Sequence, residues 1–455
     1  MKLPADSEDV FSTVKKPARL PADRFASWLM VKKGEYAALS LAFVYFFLLL
    51  GGYSILKPVR DAMGLAGGAG HLPWLFTATF VVMLAMVPAY GWLCSRFSRP
   101  VFLPCIYGFF ALNLAIFFIW FRVDPDNVWG ARTFFIWLSV FNLFVVSVFW
   151  SLMADVFNKD QSHRLFGLIA AGGSAGAIAG PLFTALFVED IGVESMLIIS
   201  ALLLLGSIGC ILALIRWRQA IRMHDESQSD ATGNALSTPD MHHSIGGGAL
   251  AGMSLILHSR YLLSISLFIV LASVISTFLY LQQAAFVSEF FPGRVTQTRV
   301  FAAIDLAVNI LSLLIQLFVA NRLIRWWGVA WTLAAVPILM TAFLIGLALF
   351  PGLPMLVVAM IVRRAGQYAI IRPAREILFT TVNLESKYKA KNFIDTVLFR
   401  GGDAFSSWLF APVALLGVMG IGLIGAGLSV GWAWLGHYLG RQHDGVEIEI
   451  TPRNA

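Results

Sequence analysis

Residues 333–379 read "LAAVPILMTAFLIGLALFPGLPMLVVAMIVRRAGQYAIIRPAREILF". Two apolar runs flank a Pro- and Gly-bearing turn, and each is long enough to cross a bilayer core of about 30 Å as a helix. Arg363, Arg364, Arg372, Arg375 and Glu376 then fall where the second run should still lie inside the membrane. A charge at the bilayer centre costs roughly 2.5–3.5 kcal/mol on insertion scales, so these side chains need protein or water around them. Whether the rest of the chain repeats the apolar runs, and can build such a surrounding, decides the fold.

The runs do repeat. Twelve apolar blocks fall at about 36–56, 73–93, 100–121, 130–154, 165–188, 195–215, 261–287, 299–320, 328–350, 353–379, 392–415 and 417–439. The chain has 455 residues, 58% hydrophobic and 13% charged, whereas a soluble domain runs near a quarter charged. Mean hydropathy is +0.77. Barrel strands would be shorter and would alternate in polarity, which these blocks do not. The expected fold class is an all-α membrane protein with twelve transmembrane helices in two six-helix bundles. No cleavable signal is visible, because the first block follows a polar tail and is long enough to span by itself. Within that tail, "DRFASWLMVKK" reads as a short amphipathic helix at the interface. Cys94, Cys105 and Cys210 lack paired spacing, so neither a disulfide framework nor a zinc site is expected.

A net charge of +7 and a pI near 9.4 raise the question of nucleic acid. The distribution answers against it. Lys2, Lys15, Lys16, Arg19, Arg24, Lys32 and Lys33 precede the first block, and Arg96 and Arg99 follow the second. Lys159 and Arg164 lie between the fourth and fifth, with Arg216, Arg218 and Arg222 after the sixth. Arg322 and Arg325 follow the eighth, and Lys387, Lys389 and Lys391 the tenth. Every even connection is basic, while most odd ones are neutral or acidic, like "VEDIGVE" after the fifth block. The positive-inside rule then places both termini in the cytoplasm.

Polar residues from 217 to 257 read as a flexible cytoplasmic linker, within which His242 and His243 are a solvated pair. The expected organisation is a tail at 1–35, a first bundle at 36–216, the linker, a second bundle at 258–440 and a tail at 441–455. The halves echo each other. Arg96 and Arg99 in "SRFSR" recur as Arg322 and Arg325 in "NRLIR", an offset of 226 residues that also carries Arg164 into "KYKAKN". Secondary transporters are often built from such repeats, with the substrate site between the halves near the midplane.

Charges concentrate in or at the edges of blocks one, four, eight, ten and eleven; blocks three, six, nine and twelve have none in their cores and read as lipid-facing. In block ten, Arg364, Tyr368, Arg372 and Arg375 follow helical spacing and form one stripe, which Pro373 is expected to kink, while Arg363 is expected to face elsewhere. "SILKPVRD" groups Lys57, Arg60 and Asp61. Asp305, Asn309, Ser312 and Gln316 form a second stripe, and block eleven adds Asp395, Arg400 and Asp403. Two readings stand. Glu376, Asp395, Asp403 and Asp155 fit structural ion pairs that lock the bundles. The arginine stripe outnumbers its local acid, and guanidinium groups hold phosphate or carboxylate in bidentate fashion, which fits an anionic substrate.

In "LFGLIAAGGSAGAIAGPLF", Gly172, Gly176 and Gly180 recur every four residues. No closing Gly-Lys-Ser/Thr follows, so this is no phosphate loop, and close helix packing through small residues explains it. ATP hydrolysis is not expected to drive transport. No nucleophilic, metal or redox constellation is visible, so neither an enzyme, a metal site nor a cofactor is expected.

Twelve spans with a central linker resemble the major facilitator superfamily. "GWLCSRFSR" is similar to its cytoplasmic loop signature, with Ser95 where an aspartate is usual, and "GAIAGP" to the first half of its antiporter pattern. A closer resemblance is to the ATP/ADP exchanger family of plastids and intracellular bacteria, particularly its short bacterial relatives. It is carried by "YSILKPVRDAMG", "FWSLMADVFNKDQSHRLFGLI" and "IRPAREILFTTVNLESKYKAKNFID". The resemblance implies phosphate contact by Arg60, a basic-Glu pair at Arg375 and Glu376, and a later Lys and Asp at Lys391 and Asp395. Arginines replace the lysines of spans one and ten, and Asn142 stands near where the family carries an acid.

The expected function is therefore a secondary transporter for a nucleotide or related phosphorylated anion, working by exchange or ion coupling in a bacterial inner (plasma) membrane. Lys57, Arg60, Asn309, Arg364, Tyr368, Arg372, Arg375 and Lys391 are the candidate substrate contacts. Asp61, Asp155, Asp305, Glu376, Asp395, Arg400 and Asp403 are candidates for gating or ion coupling. Expected partners are the small anion and membrane lipid, with no nucleic acid; a monomer suffices, though no residue pattern sets an oligomeric state. Other readings are a proton-coupled permease or exporter for another organic anion, and a non-transporting receptor or assembly factor.

Overall fold

A computed structural model describes residues 31–32, 34–96, 99–229, 251–381, 390–391 and 393–450. Most of the N-terminal tail with its interfacial segment, the His242–His243 pair, Lys387 and Lys389 lie outside these. No strand occurs among the described residues. Hydrocarbon offers the backbone no hydrogen-bond partner, so an apolar run that enters it must pair its N–H and C=O groups within itself, as helix. The first half forms α1 (Tyr36–Gly64), α2 (Leu72–Arg96), α3 (Arg99–Val123), α4 (Val128–Val156), α5 (Lys159–Ile191) and α6 (Val193–Ser229). The second forms α7 (Ala251–His258), α8 (Arg260–Phe290), α9 (Arg294–Ile315), α10 (Asn321–Leu349), α11 (Leu353–Gly366), α12 (Arg372–Leu378), α13 (Phe399–Ala414) and α14 (Gly417–Ile450). Ten stretches among the described residues are long and apolar enough to cross a membrane.

Local chemistry sets the ends. Asn158 accepts from the Gln161 backbone N–H at 2.9 Å, and the Gln161 side chain accepts from the Asn158 N–H at 3.1 Å, a reciprocal cap that starts α5. Asn127 caps α4 and Ser259 caps α8 in the simpler way. Gly328, inside α10, takes φ 70° and ψ 178°, a conformation that L side chains rarely adopt, and the chain bends sharply there. The polar segment at 217–257 is partly helical, since α6 runs on to Ser229 and α7 begins at Ala251. Likewise α14 continues to Ile450, well into the expected tail.

Three apolar cores organise the molecule. One lies wholly among residues 31–214 and a second among residues 256–439. The third joins the halves, packing Ala62, Leu65, Leu72, Leu75 and Phe135 against Leu281, Ala284, Val287 and Phe301. It sits at the distal end, defined here as the end where α1 finishes; α1 begins at the proximal end. Further contacts between the halves gather distally. Arg299 meets Glu189 at 2.5 Å, Trp408 donates to Thr77 at 3.0 Å, and Arg294 reaches the Pro125 carbonyl. Midway, Asn309 donates to the Ala177 carbonyl at 2.6 Å, where α9 lies along α5. Gly172, Gly176 and Gly180 of α5 face α1. A Cβ on Gly172 would stand 2.5 Å from the Phe43 carbonyl and one on Gly180 2.6 Å from that of Gly51, with Gly176 closer still to Phe47.

Candidate functional site

Between the halves lie two connected cavities. The nearer to the proximal end holds about 460 Å³ and is lined from α1, α4, α5, α9, the turns Gln316–Ala320 and Gln367–Ile371, and α12, by Phe46, Tyr53, Ser54, Asn142, Ser174, Asn309, Ser312, Gln316, Tyr368 and Arg372 among others. The distal one holds about 260 Å³ and shares Tyr53, Asn142, Tyr368 and Arg372 with the first. Among the described residues none from α3, α6, α10 or α14 lines either, as expected for lipid-facing helices. A larger cleft of about 750 Å³ between α2, α3 and α4 has an almost wholly apolar lining and no charge. It suits acyl chains and offers an ion nothing.

Local geometry brings the charges into the distal cavity. Lys57 and Asp61 stand four apart in α1 and so share a face. Lys57 Nζ lies 3.1 Å from both oxygens of Asp305, and Arg364 donates to the same carboxylate, which is only 3% exposed. One buried carboxylate thus answers two cations. Arg60 and Asp61 pair at 2.6 Å, Tyr280 donates to Asp61 at 3.1 Å, and the Arg60 guanidinium lies over the Phe135 ring. Asp403 accepts from Ser273 at 2.5 Å and Thr277 at 3.3 Å, while Arg400 stands farther off at 3.9 Å.

Two of the cavity-lining arginines have no carboxylate within ion-pair distance among the described residues. Arg372 lies over the Tyr368 ring, 4.7 Å from its centre. Arg363, 7% exposed, lines the distal cavity with its Nε unbonded. Its position corrects the expectation that it faces elsewhere. The reason is a wide π turn at Gln367–Ile371, one residue short of Pro373, which has no N–H to give. Such a turn shifts the phase of the helix around it, so Arg363, Arg364, Tyr368 and Arg372 all reach one cavity. Two more π turns, Gln316–Ala320 and Ile394–Leu398, adjoin the cavity walls. In all, Lys57, Arg60, Arg363, Arg364, Arg372 and Arg400 face Asp61, Asp403 and the Asp305 behind them, an excess of three positive charges.

The remaining sequence-selected residues sit elsewhere. Arg375 pairs with Asp395 at 2.9 Å and Lys391 with Glu376 at 2.5 Å, a balanced quartet on the proximal side that lines neither cavity. Asp155, near the proximal end of α4, is also outside the lining. Thr79, Ser139, Ser273, Thr277 and Gln283 escaped the sequence reading, although polar residues inside apolar blocks were a usable signal. Among the described residues no cluster of His, Cys, Asp and Glu is placed to hold a metal ion.

Residues 39–374 match the Major Facilitator Superfamily. The chain belongs to that superfamily. It is an integral, multi-pass membrane protein with the family's transporter fold. No curated protein matches the chain. Among solved structures, a mutant of the nucleoside transporter NupG is similar at 13% identity and TM-score 0.58, covering 88% of this chain and 99% of that one. A bacterial homolog of the human lysosomal transporter Spinster, inward-facing and unoccupied, follows at 12% and 0.56, covering 91% and 99%. A POT family transporter with a thioalcohol-conjugated peptide stands at 11% and 0.56, covering 90% and 96%. At such identities the likeness is one of fold. In a superfamily member, a cavity between the halves is where a transported molecule is held.

Proposed function

We propose that this chain is a secondary transporter that moves a nucleotide or related phosphorylated anion by alternating access. The observation that carries the reading is the excess of three positive charges between the halves, with Arg363 and Arg372 unanswered by any carboxylate among the described residues. Arg363 is buried, and an unpaired buried charge is costly; Arg372 is exposed and free to meet a ligand, and an oxygen-rich anion answers both through charge-assisted hydrogen bonds. The sequence likeness to the ATP/ADP exchanger family points to the same class of ligand, and to exchange as the mode. Twelve spans follow if the long run Arg294–Leu349 is divided at Gly328 and α13 is counted with the π turn before it. With basic connections inside, the proximal end is cytoplasmic and the distal core closes the outer side; the sequence likeness to short bacterial relatives of the exchanger family is what favours a bacterial inner membrane. Counterflow in proteoliposomes tests this. A nucleotide or other phosphate ester inside should drive uptake of the labelled ester from outside. Exchange of a carboxylate or an uncharged solute alone would refute the phosphorylated substrate.

Ion coupling is a second reading, favoured by Asp403, a buried carboxylate held by two hydroxyls with its arginine at 3.9 Å. If uptake follows a proton gradient, Asp403→Asn should uncouple it and leave counterflow intact; an unchanged gradient dependence removes Asp403 from that role.

A further inference from the structure

The two cavities differ in what they offer a ligand, and the difference bears on its orientation. On the distal cavity three side chains carry a polar atom with no partner: Thr79 Oγ1, Gln283 Nε2 and Arg363 Nε. Their residues are 6%, 2% and 7% exposed. The amide NH₂ and the guanidinium N–H can only donate, and the hydroxyl can donate. A buried donor left unmatched costs roughly 1–3 kcal/mol, so three on side chains that line one small chamber ask for acceptor oxygens. Thr79 comes from α2, Gln283 from α8 and Arg363 from α11, so both halves contribute. The proximal cavity differs. Among the described residues Arg372 is its one charged lining residue, at the junction, and the rest is aromatic face, hydroxyl, carboxamide and small or aliphatic side chains. That mixture of donors and acceptors suits an uncharged polar body.

We propose that the distal chamber seats the phosphoryl head of the ligand, with Thr79, Gln283 and Arg363 as specificity-determining residues, and that the proximal chamber receives the uncharged body. The inference rests on the transporter reading above and narrows it to phosphate monoesters that enter head first. A phosphoryl group brings three acceptor oxygens and close to two negative charges, against two oxygens and one charge for a carboxylate, so it answers both the three donors and the cation excess better. Tyr368 and Arg372 stand where head and body meet.

Calorimetry on the purified full chain tests the assignment, using AMP, CMP, GMP and UMP, inorganic phosphate, and the four parent nucleosides. At least one monophosphate should bind more tightly than both phosphate and its nucleoside, and phosphate should compete with it in the unaltered protein. Thr79→Val and Gln283→Met, both close in shape to the residues they replace, should each lower affinity for the monophosphate and for phosphate by about ten-fold, with unchanged helix content and elution volume. A monophosphate that binds without competition from phosphate, or that binds both variants as tightly as the original, overturns the head-first assignment and leaves the transporter reading standing. A protein that binds none of the phosphates overturns both.

Discussion

Arg372 and Arg375 lie three residues apart and have opposite circumstances. Arg375 is neutralised by Asp395 in a quartet whose charges balance, whereas Arg372 has only the ring of Tyr368. Spacing on a helix cannot distinguish the two, because the carboxylate that decides comes from another helix. Asp305 shows the same dependence on partners. Its two cations, Lys57 from α1 and Arg364 from α11, come from opposite halves. Breaking a buried pair by removing one partner typically costs about 3–5 kcal/mol, so Asp305→Asn should lower the melting temperature in detergent far more than Glu189→Gln, whose ion pair is half exposed. Equal shifts would show that Asp305 is not the keystone of this cluster. At the proximal end, Glu35 accepts from Arg164 at 2.9 Å, and that hydrogen bond above all lowers its pKa from 4.5 to about 2. A lowered carboxylate pKa adds stability that is complete above about pH 4.5 and is lost as pH falls toward 2. Glu35→Gln should therefore destabilise the protein at pH 7 and flatten its melting temperature between pH 5 and 3, by scanning calorimetry or fluorescence. A variant with the original acid profile would contradict the assignment.

Helices that touch through small residues are set by backbone distance. Gly176 of α5 leaves no room for a Cβ against the Phe47 carbonyl and the Gly51 nitrogen, 2.8 Å from where that atom would sit. Gly176→Leu should force α1 and α5 apart at a cost of about 1–3 kcal/mol, with a matching fall in melting temperature and lost transport. Gly167→Leu, where a Cβ meets nothing within 4 Å, should be tolerated, and equal damage at both positions would refute the close-packing role. The repeat behind this contact was legible in the sequence, because glycine every fourth residue has few other uses in an apolar helix. The π turns were not. A turn of five residues at Gln367–Ile371 arises from the missing N–H of Pro373 together with packing around it, and Pro373 alone announces a kink without stating its phase. That is why Arg363 was misplaced while Arg364, Tyr368 and Arg372 were found.

Across the whole molecule, hydropathy and the spacing of basic connections gave the helical membrane fold and its two-part plan, since both are imposed by the bilayer along the chain. What they could not give is which helix ends meet. The distal core of Ala62, Leu65 and Phe135 against Leu281, Val287 and Phe301 comes from residues far apart in the chain, each an ordinary apolar residue of its own span. Thr79 and Gln283 were overlooked for a related reason: one hydroxyl or amide in an apolar run commonly bonds to its own helix, and only the assembled cavity leaves these two unpartnered. Both halves contribute cations to that cavity, so charge at its centre is where binding and movement of the anion would be felt together. The decisive measurement is phosphate-ester counterflow by Arg372→Glu in proteoliposomes, beside the unaltered protein at equal density. Reversing this unpaired charge should abolish exchange while the protein keeps its melting temperature. Exchange at the original rate and affinity would mean that no anion meets Arg372, and that the positive excess serves the fold alone.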